Sequence, residues 1–494
     1  NFIFGEYSND KFKVLKNNKG LKNIGVFHSM IADSLGYPGD ENGKVSGLSG
    51  YGKVQPELVK RFEDFIEIKS NGIIFDRKRY GLTSVNLQKI KPKEYNRGKI
   101  FNSYPSDTNI LRASSSYLPQ DTAATGEMVF VNSILSLLKQ LKKYTKLKKI
   151  VFSGGIFQNV SLNNSILESG IFEHVYFPMA SADSGLSLGA ALFIENKYKK
   201  RKRKTLLTPL LGPSFSDIEI KKLLDQSRIK YVKDNHIEKT VAKLINDGKT
   251  VGWFQGRAEY GPRSLGSRSI LADPRKFESK SRINQLLKKR DWFMPYAPSI
   301  LEEYMDEFVI NPNPSPYMQI AFKIKDNKKN SIPAAVHVDG TSRIHTVSKT
   351  VNPKYWNLIN EFRLLTGLPI VLNTSFNRHH IPTISEPRQA LEHLLDGCMD
   401  YLAINDYLIS FDDNRIATEP FKNEETESYS LKHDCIKRLI TLLEIEKDKK
   451  SIVQYVKNLS ELLNTDLSFD GQTFKLEGKN VKQSEIQNML LAVL

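Results

Sequence analysis

Between Glu127 and Lys149 the chain reads EMVFVNSILSLLKQLKKYTKLKK, with apolar residues at helical spacing and lysines opposite them. A 3.6-residue period lines one face with the side chains that must leave water, so the stretch predicts an amphipathic helix. IVFSGG (Ile150–Gly155) is short, apolar and closed by glycines, and predicts a buried strand ending in a turn. SADSGLSLGAALFIEN (Ser181–Asn196) predicts a glycine turn entering a helix. Further on, TVGWFQ (Thr250–Gln255) reads as a strand. SRINQLLKKRDWFMPYAPSIL (Ser281–Leu301) reads as a helix followed by an extended segment bounded by proline. GLPIVLNTSFN (Gly367–Asn377) reads as a strand running into a polar turn. SEPRQALEHLLDGCMDYLAI (Ser385–Ile404) reads as a helix with Pro387 near its start, where the missing N–H costs nothing. This alternation predicts an open α/β sheet.

The patterning changes twice. KYKKRKRK (Lys197–Lys204) has seven basic residues in eight, which no core can hold, so it reads as an exposed linker. After Pro420 come two short amphipathic helices, LKHDCIKRLITLLEIE (Leu431–Glu446) and IVQYVKNLSELL (Ile452–Leu463). SFDGQTFKLEG (Ser468–Gly478) then carries a hairpin signal at Asp470-Gly471. The expected organisation is a first region over 1–196, a basic linker over 197–204, a second region over 205–419 and a C-terminal α+β extension over 420–494. A chain of 494 residues is long enough for two to four domains.

Composition narrows the partners more than the fold. The hydrophobic fraction of 40% is ordinary for a soluble protein, and no apolar run is long enough to span a membrane. Two cysteines, Cys398 and Cys435, are too few for a disulfide framework or a zinc site and fit a reducing cytoplasm. The net charge of +17 would attract a polyanion or an acidic substrate, although abundant Lys also follows from an AT-rich gene.

Candidate chemistry concentrates in the second region. GWFQGRAEYGPRSLGSRSILADPR (Gly252–Arg275) holds four arginines, four glycines and no lysine. Guanidinium forks suit phosphate and carboxylate, and glycine lets backbone N–H groups approach an anion. Lys288 and Arg290 stand two apart, diverging if helical and sharing a face if extended. Asn373-Thr-Ser-Phe-Asn377 follows a strand, where loops commonly carry ligands. Taken singly, each of these is more often structural than catalytic.

Taken together with SPYM (Ser315–Met318) and IPAAVHVDGTSRIHTVS (Ile332–Ser348), these segments resemble, in order, the C-terminal domain of the O-carbamoyltransferase family. That family includes the nodulation-factor and antibiotic carbamoyltransferases (the NodU/CmcH type). The resemblance implies a YrdC-like domain that binds carbamoyl phosphate and ATP and forms a carbamoyl-adenylate. Its Lys-x-Arg and Ser-x-Asn pairs correspond to Lys288/Arg290 and Ser375/Asn377. The residues it puts forward for catalysis are Arg263, Lys288, Arg290, Arg343, Ser375 and Asn377, with Arg268 and Asn373 in support. The first region resembles the family's actin-like (ASKHA) domain. SGGIFQNVSLNN contributes Gly154, Gly155, Asn159 and Asn163, ADSGLSLGAAL contributes Asp183 and Gly185, and ENGKVSGLSGYGK contributes Lys44, Gly47, Tyr51 and Gly52. These would bind the adenylate, with Asp183 a ligand to a divalent metal (Mg, Mn or Fe). Without the resemblance, an Asp before a glycine turn is usually an N-cap.

The fold class implied is therefore α/β: a partial ASKHA domain, a YrdC-like open α/β domain and a small α+β tail. Three departures accompany it. The family's paired-histidine motif has no counterpart, since none of the nine histidines lie four apart, and His28 reads as an ordinary helix residue. The N-terminal half of the ASKHA domain is expected to precede Asn1 or to lie on another chain. After the turn the family's Gly-Glu-Pro is replaced by His380-Ile-Pro382, and the extension after Pro420 lies outside the resemblance.

The expected activity is ATP-dependent O-carbamoylation in the cytoplasm, without a membrane, by a chain that could form a homo-oligomer. The charge directs the acceptor towards DNA carrying 5-hydroxymethylcytosine, which would be flipped out to reach the site. A small-molecule sugar or natural product is the alternative acceptor. A non-catalytic nucleic-acid-binding relative and a threonylcarbamoyl-type tRNA enzyme are the competing readings.

Overall fold

The computed structural model describes residues 2–8, 11–18, 24–37, 41–69, 72–75, 109–199, 208–288, 291–378, 381–415, 435, 439, 449–463, 465–471 and 473–482. The protein is mixed α/β, organised around one large mixed sheet. In spatial order its eight strands are His345–Val347, Ala297–Leu301, Ile370–Ser375, Arg268–Ala272, Val251–Phe254, Tyr401–Ile404, Tyr407–Ser410 and Val232–Lys233. Two neighbouring pairs are parallel, His345–Val347 with Ala297–Leu301 and Val251–Phe254 with Tyr401–Ile404, and the rest are antiparallel. The central strands Val251–Phe254 and Arg268–Ala272 are buried at every residue. VGWF and the Ile270–Ala272 end of the second strand carry no polar side chain, as expected of a sheet covered on both faces. The helices Ile237–Asn246 and Pro353–Thr366 cover one face. The second ends at Gly367, whose φ of 77° supplies the left-handed cap.

The first region is built around the long helix Pro119–Lys142, which begins eight residues before the expected start because Pro119 is tolerated at its first turn. Ile24–Ser34, Gly43–Ser49 and Pro56–Glu63 pack on it. Phe27 meets Phe62 edge to face at 5.6 Å, an arrangement favoured by the ring quadrupoles. One apolar core runs from these residues through Phe293 and Ile300 into the sheet. The two regions therefore meet across a continuous interior.

IVFSGG forms a strand, Lys149–Val151, but the expectation of burial is corrected. Among the described residues it pairs with His174–Tyr176 alone, in parallel, and Val151 is 65% exposed because no described layer covers that face, whereas Phe152 just beyond it is buried in the core. The helix expected after Ser181 spans Gly185–Lys199. In the extension, Lys449–Leu463 is helical, and Leu467–Phe469, Phe474–Leu476 and Lys479–Val481 form a three-stranded meander with the expected turn at Asp470-Gly471. This tail rests on the first region: Asn458 donates to the Ser116 carbonyl at 2.9 Å, and Leu118 joins the tail's apolar cluster. The helix expected over 431–446 lies outside the described residues except for Cys435 and Leu439, both buried. Residues 200–204 of the basic linker, Arg290, His379 and His380 also lie outside them. No described helix is long and apolar enough to cross a membrane.

Candidate active site

The arginine- and glycine-rich loop after Val251–Phe254 is folded by a carboxylate. Glu259 Oε1 accepts the backbone N–H groups of Leu265 at 2.7 Å, Ser267 at 2.7 Å and Arg268 at 3.1 Å. These amides form a small anion nest that the protein fills with its own side chain. Two glycines let the loop close. Gly261 has φ 112°, and a Cβ there would come within 2.6 Å of the Met179 carbonyl of the first region. Gly266 has φ 91°, and a Cβ there would lie 2.0 Å from the Tyr355 ring.

The two inner arginines of this loop have different fates. Arg268 is 1% exposed and spends its guanidinium on the backbone carbonyls of Gln255, Gly256, Ser267 and Pro213, stacked 3.5 Å over Phe254. Burial lowers its pKa to about 10 against the favourable charge of Glu259. Arg263 instead faces a cavity of about 660 Å³ between the two regions. The second region contributes Arg263, Lys280, Arg343, Asn373 and Ser375 to its lining. The first contributes Lys44, Ser46 and Asn159.

Each side of the cavity is braced from behind. Lys288, fully buried, donates from Nζ to the Ser375 carbonyl (2.6 Å) and Oγ (3.0 Å) and to the Asn377 carbonyl (2.8 Å) and Oδ1 (2.6 Å). Ser375 Oγ donates in turn to Asn377 Oδ1 at 2.5 Å. Lys288, Ser375 and Asn377 thus assemble as one clamp, with only Ser375 reaching the cavity. Asn373 donates to the Ser264 carbonyl at 3.0 Å and to Ser299 Oγ at 2.9 Å, tying the arginine loop to the strand.

On the opposite side Lys44 bridges Glu41 and Asp291, each at 2.8 Å, and so ties the regions together. Burial would lower its pKa, but the hydrogen bonds and charges of Asp291 and Glu41 leave it raised. Asn159 caps the helix Val160–Glu168 through Leu162 N–H and donates to Glu127 Oε1 at 2.7 Å. Glu127 also accepts from Ser46 at 3.1 Å and lies 2.7 Å from His28. Burial pushes its carboxyl up, but His28, Asn159 and Ser46 more than offset this and hold it low. His28 is thus part of a buried polar network behind the cavity wall, which it reaches through Glu127, Ser46 and Asn159.

Asn163 is a strut, donating to the carbonyls of Phe157 and, in the second region, Gln319, both at 2.8 Å. Gly154 (φ 131°) and Gly155 form the turn before Asn159. Gly185 opens its helix where a Cβ would strike the Ala180 carbonyl at 2.1 Å. Asp183 is exposed, and among the described residues no three His, Cys, Asp or Glu side chains converge. These donors do not fit a divalent metal centre.

Two cavity residues escaped the sequence reading. Lys280 is more than half buried, makes no hydrogen bond or ion pair with described residues, and has its pKa lowered by desolvation. His337 stands in the wall beside Asp339 and Arg343. Residues 337–340 form a tight turn, closed by the Gly340 N–H on the His337 carbonyl at 2.9 Å, which folds Thr341 back beside His337; Asp339-Gly340 was the available turn signal. A second, open polar groove of about 720 Å³ lies between the tail and the first region, and none of the expected site residues line it.

Residues 242–410 match the family model described as carbamoyltransferase C-terminus, and residues 5–192 match that described as carbamoyltransferase N-terminus. Nodulation protein NolNO of Sinorhizobium fredii is 34% identical over 396 residues, covering 78% of this chain and 55% of that protein. Nodulation protein NolO of Bradyrhizobium diazoefficiens is 32% identical, covering 78% and 68%. Nodulation protein U of the same organism is 27% identical, covering 68% and 57%. The chain thus spans between about half and two-thirds of the length of these relatives. A crystal structure of full-length HypF in a phosphate- and nucleotide-bound form overlaps 36% of the chain at 20% identity and TM-score 0.25, too partial a likeness to carry an argument.

Proposed function

The chain belongs to the carbamoyltransferase family, and from that premise we propose that it is an ATP-dependent O-carbamoyltransferase. Carbamoyl phosphate, ATP, water and an acceptor alcohol give the carbamate ester, AMP, pyrophosphate and phosphate, by way of carbamoyl-adenylate. The observation that carries this reading is the cavity where both family-matched regions meet, lined by Arg263, Lys280 and Arg343 from the second region and by amide and hydroxyl side chains from both.

Arg263, Lys280 and Arg343 would neutralise the phosphoryl groups, where fixed positive charge stabilises what develops as pyrophosphate leaves. Lys288 acts through the clamp, holding Ser375 at the cavity edge. Asn159 and Ser46, held by Glu127, would orient the adenylate from the first region. Arg268 stabilises the loop without touching a ligand. Placing both half-reactions around one cavity would shorten the time the adenylate spends in bulk water. No step is assigned to a metal.

The finer acceptor reading is the hydroxymethyl group of 5-hydroxymethylcytosine in DNA, supported by the net charge of +17. The test is to incubate the chain with carbamoyl phosphate, ATP, a divalent cation and either hydroxymethylated DNA or a sugar mixture, with Arg343→Ala as control. Release of AMP and pyrophosphate, lost in the control, is expected. A carbamoyl mass increment on the base, suppressed by salt, supports DNA; an increment on a sugar moves the acceptor to small molecules. Absence of AMP in every arm would sink the enzymatic reading.

A further inference from the structure

A hydrogen-bond chain in the cavity wall determines which nitrogen of His337 carries its proton. Thr341 Oγ1 donates to Asp339 Oδ1 at 2.7 Å. A hydroxyl has one proton, so towards His337 Nδ1, 3.0 Å away, the same oxygen can only accept. Nδ1 therefore bears the hydrogen and Nε2 is left with a lone pair. That nitrogen is buried and has no hydrogen-bond partner. Burial, opposed by Asp339 and reinforced by the charges of Arg343 and Lys280, lowers the imidazole pKa to about 4, so the ring is neutral. The wall thus carries one unpaired acceptor next to two cations.

A buried acceptor left unpaired costs free energy until a ligand supplies a donor. The neighbouring cations restrict which donor that is. In carbamoyl phosphate the NH₂ group is three covalent bonds from phosphorus, so whatever reads it must stand beside the groups that hold the phosphate. The exocyclic amine of adenine lies at the far end of the nucleotide from its phosphates. We propose that His337 Nε2 accepts an N–H of the carbamoyl amide and is the specificity-determining residue that separates carbamoyl phosphate from acyl phosphates bearing a methyl in its place. The inference rests on the reading of the cavity as a carbamoyl phosphate site. Acetyl phosphate has the same shape and charge but would set its methyl against the lone pair.

Calorimetric titration of the full chain with freshly dissolved carbamoyl phosphate and with acetyl phosphate tests this without any catalytic turnover. The wild type should prefer carbamoyl phosphate by about tenfold or more, as sites built to hydrogen-bond a polar group reject its apolar isostere. His337→Leu should shrink that ratio about tenfold while acetyl phosphate binds within about twofold of wild type. His337→Gln, which can bring a carbonyl oxygen near the Nε2 position, should restore part of the preference. Thr341→Val keeps the ring but frees its tautomer, and should give an intermediate ratio; it decides the matter if the Leu variant fails to fold. A ratio unchanged in the folded His337→Leu variant, or in Thr341→Val should that variant not fold, overturns the proposal. Equal binding of both ligands by the wild type overturns it and spares the carbamoyltransferase reading, whereas no binding of either overturns both.

Discussion

Glu259→Ala tests whether a single carboxylate builds the arginine loop. The wild-type side chain accepts three backbone N–H groups at 2.7, 2.7 and 3.1 Å. Hydrogen bonds to a charged group contribute about 1.5–3 kcal/mol each, which gives roughly 5–9 kcal/mol gross. Glu259 is only half buried, so water can enter the vacated space and return more than half of that. Arg268 meanwhile loses the nearby negative charge that favours its buried guanidinium. A net destabilisation of about 3 kcal/mol is expected.

Urea melts followed by tryptophan fluorescence give the readout, because buried Trp253 donates from Nε1 to the Gly266 carbonyl within the same loop at 3.1 Å. The functional arm is calorimetry with carbamoyl phosphate, whose dissociation constant should rise by about tenfold to a hundredfold as Arg263 and Ser264 lose their positions. Glu259→Gln retains an acceptor oxygen without the charge and should lose about half as much on both counts. If Glu259→Ala stays within about 1 kcal/mol of wild type and binds within about twofold, the loop is held by something else and the reasoning fails.

Arg268→Met removes the guanidinium from four backbone carbonyls, of which those of Ser267 and Pro213 keep a backbone N–H, and should cost about 2–4 kcal/mol in the same melts, while carbamoyl phosphate affinity changes by less than about fivefold. Lys288→Met releases the Ser375–Asn377 turn and should lower the rate of AMP formation about a hundredfold, with a smaller effect on binding. Stability should also fall with acid. His345 is buried beside Ser299, and burial lowers its pKa from 6.5 to about 3. Between those values the unfolded chain takes up a proton that the native ring refuses. The contribution is therefore whole above pH 6.5 and is lost as pH falls towards 3. His337, lowered to about 4, adds to the slope. Urea midpoints measured from pH 7.5 downward should decline, and His345→Gln should flatten the curve.

The strands were legible because burial on both faces leaves a plain mark: Val251–Phe254 and the Ile370–Leu372 start of the strand Ile370–Ser375 carry no polar side chain, and both lie inside the sheet. Ile150–Phe152 carries the same mark, yet Val151 is exposed, since an apolar run does not record what covers each of its faces. Side-chain destinations were harder to read. Arg263 and Arg268 are five residues apart in one glycine-rich loop, yet one lines the cavity and the other grips backbone carbonyls. Nothing local separates them. The difference arises because Glu259 gathers the intervening amides and turns the chain between them. An acidic residue in a basic stretch reads from sequence as a solvated counter-charge, so that organising role was invisible. His337 was hidden for a related reason. Its chemistry depends on the turn at 337–340, which folds Thr341 back onto the ring with Asp339 on its hydroxyl, and on two cations brought from Lys280 and Arg343. Residue type restricts which ligand a position can meet, but the direction of each donor is a property of the folded loop. Arginines chosen from a motif therefore need a structure to tell those that bind from those that brace.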